Sequence, residues 1–314
     1  MTTEEPSPPA TAALIEAEPH HRRTFNRILY SVFIFKLTSW LYPYLGRRIF
    51  RWVSVTVSFI YAITQHKIRH IVQENMQLLT PEKITTKDAL DLFVTFGATI
   101  SDYVCSGNMP RKEAFALCEE CRGVEYISEA VKDGQGAILV TGHFGFFELG
   151  SLHLSEMGYR VAVITLPEPR ENLTQWRTEF RSRWGAETIE IGDDFFSAIK
   201  VVHSLQEGKL TAMLVDRPFG PRAIPVDLPN GKALFSTSPA IVAFASGRPV
   251  IPVIVTKLPS QNYTIEALGC IYPTRLPEGR DASIEAMTKE IAAMLMKEIV
   301  KHPKQWFQFV PIGI

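Results

Sequence analysis

The chain has 314 residues, of which 46% are hydrophobic and 21% are charged, with 33 basic and 33 acidic residues. This composition is typical of a globular protein with a large core, and it favours one principal domain with an N-terminal addition. A net charge of zero gives no basic footprint for nucleic acid, so we expect no nucleic-acid partner. Four cysteines in a chain of this length do not indicate a disulfide framework, which fits a reducing, cytoplasmic setting.

Two of the cysteines, Cys118 and Cys121, form a C-x-x-C pair. Zinc sites built on such a pair need further ligands at a recognisable spacing, and neither a second C-x-x-C nor an H-x-x-x-H follows. We therefore expect two buried thiols on a helix and no metal site.

The N-terminal 73 residues divide by charge. Residues 1–18 carry four acids and no Lys or Arg, with several prolines, so we predict a disordered tail over residues 1–24. Residues 19–73 carry nine Lys or Arg and no acid, with eleven aromatic residues between Phe25 and Tyr61. Basic residues mixed with Trp and Tyr suit an anionic bilayer surface, so residues 25–79 are predicted to form membrane-associating helices.

Whether part of this region crosses the bilayer is open from the sequence. The apolar run 28–45 would extend about 27 Å as a helix, which barely matches the hydrocarbon thickness. Lys36 and Pro43 also interrupt the run. A peripheral helix, a single span and a pair of buried helices with solvated basic residues are the alternatives.

Residues 80–314 are predicted to form an α/β domain with a helical lead-in over 80–134. Helical patterns occur at 66–79, 86–104, 112–121, 124–132, 146–157, 172–184, 195–206 and 283–301. Near-continuous apolar runs lie at 137–140, 161–165, 210–215 and 250–255. Strands that are apolar throughout are covered on both faces. The fold class is therefore α/β, with a largely parallel central sheet flanked by helices and an N-terminal helical membrane-associating region.

Residues 136–150 contain the most informative motif. His143 follows the strand 137–140 between Gly142 and Gly145, and Glu148 comes five residues later. On one continuous helix these two side chains would be about 140° apart, so they can meet only if His143 lies in the turn before the helix. A carboxylate on one imidazole nitrogen would leave the other free to act as a general base. The alternative is a structural histidine, with Glu148 stabilising the first turn of the helix.

The ends of the predicted strands narrow the class of function. In parallel sheets ligands bind beyond the carboxyl ends of the strands, which is where His143 and Asp216 fall. The motifs of serine hydrolases, nucleotide hydrolases, dinucleotide oxidoreductases and zinc proteases are absent from the sequence. These four classes therefore lose support.

The order of these signals resembles the lipid A late acyltransferases (lauroyl and myristoyl acyltransferases), within the lysophospholipid acyltransferase-like superfamily. The resemblance covers about residues 28–308. After the membrane-associating start, it rests on R-H-I-V-Q-E-N-M at Arg69–Met76, His143-x-x-x-x-Glu148, Asn172 followed by R-S-R-W-G at Arg181–Gly185, D-R-P-F-G-P-R at Asp216–Arg222, and S-T-S-P-A at Ser236–Ala240 leading to S-G-R-P-V-I-P at Ser246–Pro252.

The resemblance implies roles for four residues. His143 and Glu148 match the catalytic pair, Arg181 or the nearby Arg183 matches the family's arginine, and Asp216 matches its acidic residue at the fourth strand. His143 would take the proton of a hydroxyl that attacks an acyl thioester, and Arg181 would stabilise the oxyanion. Alternatively, Arg181 is a surface residue of a helix and Asp216 a hydrogen-bonded turn residue. No metal or cofactor is expected, because the thioester is already activated.

Two departures from the family pattern concern the substrates. Asp216-Arg217 stands where the family commonly has Asp-Gln or Asp-His. Phe309-Val310-Pro311 stands where a basic His-Arg-Arg ending is common. Both bear on the preference for donor or acceptor, and neither touches His143 or Glu148.

Candidate substrate-binding residues are aromatic or basic. Phe144, Phe146 and Phe147 could wall an acyl pocket or could belong to the core. A phosphorylated acceptor or an acidic carrier protein would be received by basic residues, each of which could instead be a solvated charge. The candidates, together with Gly220 in the same loop, are Arg217, Arg222, Lys232 and Arg248.

The predicted function is a membrane-associated O-acyltransferase at the cytoplasmic face of the inner membrane, peripheral or single-pass. It would move a fatty acyl chain from acyl carrier protein or coenzyme A to a hydroxyl of a lipid or glycolipid, lipid A-like by resemblance. Its partners would be the bilayer, this acceptor and the thioester donor. The alternatives are a non-catalytic lipid-binding protein of the same fold and a thioesterase or lipid hydrolase.

Overall fold

A seven-stranded sheet and a separate hairpin form the centre of the fold. The computed structural model describes residues 32–166, 171–192, 195–217 and 223–314, so the predicted tail over 1–24 lies outside the described residues. The strands are β1 (Cys118–Arg122), β2 (Ile138–Thr141), β3 (Val161–Thr165), β4 (Ala186–Glu190), β5 (Leu210–Leu214), β6 (Ala223–Leu228), β7 (Gly231–Ser236), β8 (Val250–Lys257) and β9 (Tyr263–Ala267). The sheet order is β1-β9-β8-β2-β5-β3-β4, and β6 pairs with β7.

Helices cover the sheet and precede it. They are α1 (Val32–Thr64), α2 (His66–Gln77), α3 (Thr86–Ser106), α4 (Arg111–Phe115), α5 (Val124–Ala130), α6 (Glu148–Glu156), α7 (Glu171–Arg183), α8 (Phe195–Gln206), α9 (Ser238–Ser246) and α10 (Arg280–Ile299), followed by a 3₁₀ turn at Pro303–Gln305.

The sheet is largely parallel, as the apolar runs predicted. Strands β8, β2, β5, β3 and β4 run in one direction, while β9 is antiparallel to β8 and carries β1 at the edge. Alternate residues of one strand enter different cores, because successive side chains point to opposite faces. In β2, Ile138 and Val140 belong to one apolar cluster and Leu139 to the other. The predicted α/β class is confirmed.

One predicted helix is partly wrong, and several strands were not predicted. The pattern over 112–121 indicated a helix, but α4 ends at Phe115 and β1 follows, so Cys118 and Cys121 lie on a strand and are half-buried. Strands β1 and β4 each contain two glutamates and form the two edges of the sheet. An edge strand that is partly exposed lacks the continuous apolar run that identifies an internal strand.

The N-terminal helix α1 is bent and packs against α3. Gly46 has φ 67° and ψ 168°, which interrupts the helix directly after the apolar run 28–45. Gly97 allows α1 and α3 to approach closely, because a side chain at this position would collide with Ser58. Ser54 on α1 then donates a hydrogen bond of 2.7 Å to the carbonyl of Gly97. Among the helices of the described residues, none is both long and apolar enough to cross a membrane.

A buried carboxylate joins these N-terminal helices to the sheet. Asp102 on α3 is fully buried and accepts from Arg47 at 2.9 Å and from Arg51 at 2.8 Å, both on α1. Its second oxygen accepts from Lys257 and Tyr263, each at 2.7 Å, at the β8–β9 end of the sheet. Although burial by itself raises the pKa of Asp102, the charges of Lys257 and Arg47 lower it below its ordinary value. The carboxylate is therefore ionised at neutral pH.

We expect Asp102→Asn to lower the free energy of unfolding by about 3–5 kcal/mol, because three cations then face a neutral amide. Urea denaturation at neutral pH measures this loss. The matched control is Asp227→Asn, since Asp227 is 85% exposed and pairs with Lys232 at 3.1 Å on the surface. The control should change the free energy of unfolding by about 0–1 kcal/mol. Equal effects of the two substitutions would contradict a structural role for the Asp102 cluster.

Candidate active site

His143 lies in a tight turn between β2 and α6, as its flanking glycines predicted. Gly145 has φ 53°, and a Cβ atom there would lie 1.9 Å from the carbonyl oxygen of Val255. The N–H of Gly145 donates to the carbonyl of Gln305 at 2.9 Å. A residue with a side chain would be strained in this conformation and would collide with the neighbouring strand. The turn therefore places the imidazole beyond the carboxyl end of β2.

The carboxylate that holds His143 is Asp216, which follows the neighbouring strand β5. Asp216 Oδ1 lies 2.7 Å from His143 Nδ1, and Oδ2 accepts from the backbone N–H of His143 at 2.7 Å. A Cβ atom on Gly142 would lie 2.8 Å from Asp216 Oδ2, so glycine is needed for this close approach. The orienting acid predicted from sequence spacing was Glu148, and that pairing is wrong.

Two further donors fix the Asp216 carboxylate. Trp306 Nε1 and Gln308 Nε2 donate to Oδ2 at 2.8 Å and 2.6 Å. Asp216 is 1% exposed, and burial by itself raises its pKa. The charge and hydrogen bond of His143, the charge of Arg217 and the Trp306 bond outweigh burial and lower the pKa of Asp216 to about 2. The site therefore contains an ionised, fully oriented carboxylate.

These contacts determine which nitrogen of His143 is basic. An ionised carboxylate only accepts hydrogen bonds, so Nδ1 carries the proton and Nε2 has the lone pair. Burial lowers the pKa of His143 below 6.5, Asp216 opposes this, and the charges of Arg217 and Arg177 add to it. The side chain keeps 22% of its surface exposed. The imidazole is therefore neutral at pH 7 and can receive a proton from a group outside.

Glu148 forms a buried ion pair with Arg181. The Nη2 atom of Arg181 lies 2.5 Å from Glu148 Oε1, and Nε donates to Oε2 at 3.1 Å. Both side chains are more than nine-tenths buried. No hydrogen bond joins the described side chains of Glu148 and His143. The ion pair connects the first residue of α6, just after the histidine turn, to the last turn of α7.

The structure separates the two candidate arginines of α7. Arg181 is buried against Glu148, whereas Arg183 is directed outward and bonds the carbonyl of Gly107 at 3.2 Å. Arg177, one turn earlier on the same helix, is close enough for its charge to lower the pKa of His143. Sequence reasoning missed Arg177, although its spacing of four from Arg181 places both on one face of a helix.

The other predicted substrate-binding residues are distributed differently. Phe144 and Phe146 are core residues of the two apolar clusters, whereas Phe147 is half-buried and lies edge-on to His143 with ring centroids 6.0 Å apart. Arg248 is wrong as a site residue. It bonds the carbonyls of Gly136 and Ala130 and pairs with Asp133 at the amino end of the parallel strands. Gly220 and Arg222 lie outside the described residues, and Lys232 pairs with Asp227 on the β6–β7 hairpin.

The C-terminal segment 306–309 completes the site, which sequence reasoning did not predict. Its residues alternate between two neighbours: Trp306 and Gln308 bond Asp216, while Phe307 and Phe309 pack against Phe96 with ring centroids 5.2 Å and 4.8 Å apart. The N–H of Phe307 donates to the carbonyl of His143 at 2.8 Å. Arg217 Nε donates to Gln308 Oε1 at 2.6 Å. The available signal in the sequence was the run Trp306-Phe307-Gln308-Phe309, in which one polar residue lies between aromatic residues.

The chain matches known proteins along most of its length. A family model described as bacterial lipid A biosynthesis acyltransferase matches residues 18–311. Two relatives, the phosphatidylinositol mannoside acyltransferases of Mycobacterium tuberculosis strains CDC 1551 / Oshkosh and ATCC 25618 / H37Rv, are each 20% identical over 205 residues. This match covers 64% of the present chain and 62% of each relative, so the chain spans about three fifths of their length. Because the family match covers nearly the whole chain, the protein belongs to the bacterial lipid A biosynthesis acyltransferase family, as the sequence resemblance predicted.

Proposed function

We propose that the protein is an O-acyltransferase that moves a fatty acyl chain from an acyl thioester to a hydroxyl of a lipid or glycolipid. The observation that carries this proposal is the neutral His143, held through Nδ1 by an ionised Asp216 at the carboxyl end of the parallel strands. This arrangement suits a general base, which needs an accessible lone pair on the other nitrogen.

The reaction follows from the basic nitrogen. His143 Nε2 takes the proton of the acceptor hydroxyl while the hydroxyl oxygen bonds to the thioester carbonyl carbon. The carbonyl oxygen becomes negative in the tetrahedral intermediate. When the C–S bond breaks, the departing sulfur takes the proton from the imidazolium, which leaves an ester, a thiol and neutral His143. Asp216 stabilises the imidazolium between these two steps without accepting its proton, since its pKa is about 2.

Basic residues around His143 suit the charge that develops. The sequence predicted Arg181 for the oxyanion, but its guanidinium is bonded to Glu148 on two nitrogens, so we assign it to positioning. Arg177 and Arg217 are the cations whose charges act on His143. We propose that they stabilise the oxyanion or receive an anionic group of the substrate. Phe147, beside the imidazole, is the candidate contact for the acyl chain.

Membrane association is supported by the outer face of α1. The exposed residues Ile49, Trp52 and Ile60 recur at helical spacing, with exposures of 47%, 71% and 54%. Val53, Phe59 and Ile63 are also exposed on this part of α1, and Trp40, Tyr44 and Leu45 are exposed before the bend at Gly46. Two of the basic residues in this region, Arg47 and Arg51, are committed to Asp102, while Arg48 is exposed beside the apolar stripe. We propose that this stripe lies on the bilayer at the cytoplasmic face of the inner membrane.

The acceptor and the donor are inferred from chemistry and from the relatives. The matched relatives are named for acylation of a mannoside of a phospholipid, and the family for lipid A biosynthesis, so a glycolipid is the proposed acceptor. The proposed donor is a thioester of acyl carrier protein or coenzyme A. No cofactor takes part in the steps above, because the thioester supplies a leaving group.

We expect His143→Ala to abolish acyl transfer, and Asp216→Asn to lower kcat by about 10²–10⁴, since an amide no longer fixes the tautomer or stabilises the imidazolium. Transfer of a labelled acyl chain to membrane lipids measures both. The acid limb of kcat/KM should lie below pH 6.5, because the pKa of His143 is lowered. Asp216→Asn should move that limb to lower pH, since Asp216 raises the pKa of His143.

Analysis of the lipid products separates the alternative functions. Mass spectrometry of lipids from cells with the natural protein and with His143→Ala should show one acylated species missing in the variant. Free fatty acid without an acylated lipid would favour a thioesterase or lipid hydrolase. Unaltered lipids together with full transfer by purified His143→Ala would overturn the mechanism.

We expect Glu148→Ala to abolish transfer, because it removes the carboxylate that accepts two hydrogen bonds from the buried Arg181 beside the histidine turn. Glu148→Gln and Arg181→Met should each slow transfer, and the double variant should be no slower than the slower single variant, with a coupling of about 0.5–3 kcal/mol. Transfer rates of all four proteins measure this cycle. Arg183→Met is the matched control and should leave the rate unchanged. Fully additive losses would contradict a role for Glu148 through Arg181.

We expect Trp52→Glu and Ile60→Glu each to weaken binding to anionic vesicles about tenfold or more, because an apolar side chain contributes about 1.5–3 kcal/mol when buried. Flotation with vesicles of phosphatidylglycerol and phosphatidylethanolamine measures the bound fraction. The control is Tyr272→Glu, at an exposed position outside α1, and it should bind like the natural protein. Unchanged binding of both α1 variants would exclude this stripe as the contact.

A further inference from the structure

A second cluster of reactive side chains lies outside the acyl-transfer site. It consists of Cys118 and Cys121 on β1 and His153 on α6, and each residue places one ligand atom within 4.8 Å of the other two. The sequence indicated only the C-x-x-C pair. The fold adds His153 by placing α6 beside the edge strand β1. No hydrogen bond or ion pair connects this trio to His143 among the described residues.

The two thiols meet because β1 is irregular. Residues three apart on a regular strand point to opposite faces of the sheet. The register of β1 against β9 shifts between Cys118 and Glu120, as in a β-bulge, and the two sulfur atoms are 3.5 Å apart. Bulges at a sheet edge are known to redirect side chains in this way. Both cysteines are half-buried and reduced, so the thiols are accessible to an ion.

His153 is a buried imidazole with an unsatisfied nitrogen. It is 4% exposed, and its ring stacks on Phe115 with centroids 3.8 Å apart and an angle of 8° between the planes. Its Nδ1 atom is buried and has no hydrogen-bond partner. An unpartnered buried polar atom costs free energy unless a further group binds in its surroundings. A histidine held flat in this manner has already lost the ring motion that ligand binding would restrict.

We propose that Cys118, Cys121 and His153 bind a zinc ion. Tetrahedral zinc with Zn–S of about 2.3 Å and Zn–N of about 2.0–2.1 Å requires ligand atoms about 3.5–3.8 Å apart. The two sulfur atoms are 3.5 Å apart here, and the histidine nitrogen lies within 4.8 Å of both. A cavity of about 20 Å³, lined by Cys121, His153 and Met157, adjoins the cluster and has room for one water molecule. That water would be the fourth ligand. Each thiol releases a proton when it binds as a thiolate.

The ion would connect two elements that are far apart in sequence. Strand β1 is the outer edge of the sheet, and helix α6 begins at Glu148. A bond from both through one zinc ion would fix the edge strand to the helix that follows the histidine turn. The cluster is separate from the acyl-transfer site, so zinc binding does not depend on the proposed function.

Cobalt(II) binding to the full-length reduced protein tests the proposal. Thiolate ligands give an intense charge-transfer absorption in the near ultraviolet, and we expect one cobalt per chain, displaced by zinc with loss of that band. Cys121→Ser and His153→Gln should each lose or greatly weaken the band. The matched control is Cys270→Ser, whose thiol is half-buried and bonds the carbonyl of Tyr126 at 3.4 Å, away from the cluster. It should bind like the natural protein.

Folding is followed separately by far-ultraviolet circular dichroism and by melting without metal. Because Cys121 is half-buried, its serine variant is expected to fold even if His153→Gln does not. Zinc should raise the melting temperature of the natural protein and of Cys270→Ser, but not of Cys121→Ser. Either the absence of stoichiometric cobalt binding or a band that survives in folded Cys121→Ser would overturn the proposal.

Discussion

The Asp216 carboxylate is the interaction on which the candidate site depends. One oxygen bonds the imidazole of His143, and the other accepts from the His143 backbone, Trp306 and Gln308. A buried carboxylate is costly unless its lone pairs are satisfied, and four donors within 2.8 Å satisfy this one. The same bonds keep it ionised, and an ionised Asp216 gives His143 the tautomer that a general base requires. The contacts that satisfy the buried charge therefore also set the tautomer of the imidazole.

Asp102 and Glu148 are buried carboxylates that pair with cations from neighbouring elements. Asp102 binds three cations between α1, α3 and β8, and Glu148 binds Arg181 between α6 and α7. Such pairs add little net stability over apolar packing, but breaking one leaves a charge without compensation. They therefore determine where each helix can dock. This matters most at Glu148, because α6 begins directly after the histidine turn.

The sequence predicted the parts of the fold that are marked by local patterns. The four apolar runs are strands β2, β3, β5 and β8, because a strand that is buried on both faces has apolar residues throughout. Helix α8 also has the predicted bounds. The half-exposed strands β1, β4 and β9 lack such runs. His143 and Asp216 were both placed at strand ends. Their pairing depends on β2 and β5 being neighbours in the sheet, which no spacing along the chain shows. Glu148 was assigned to His143 because it is near in sequence, whereas Trp306 and Gln308 are far from it.

The alternation of residues 306–309 joins two regions that have different surroundings. Trp306 and Gln308 bond the Asp216 carboxylate, which contacts His143. The rings of Phe307 and Phe309 pack into the apolar cluster formed by α1, α2 and α3. The backbone between them is also anchored, since the N–H of Phe307 donates to the carbonyl of His143. The donors that orient the Asp216 carboxylate and the rings that pack on the N-terminal helices therefore belong to four consecutive residues, so one short segment anchors both the site and the helical cluster.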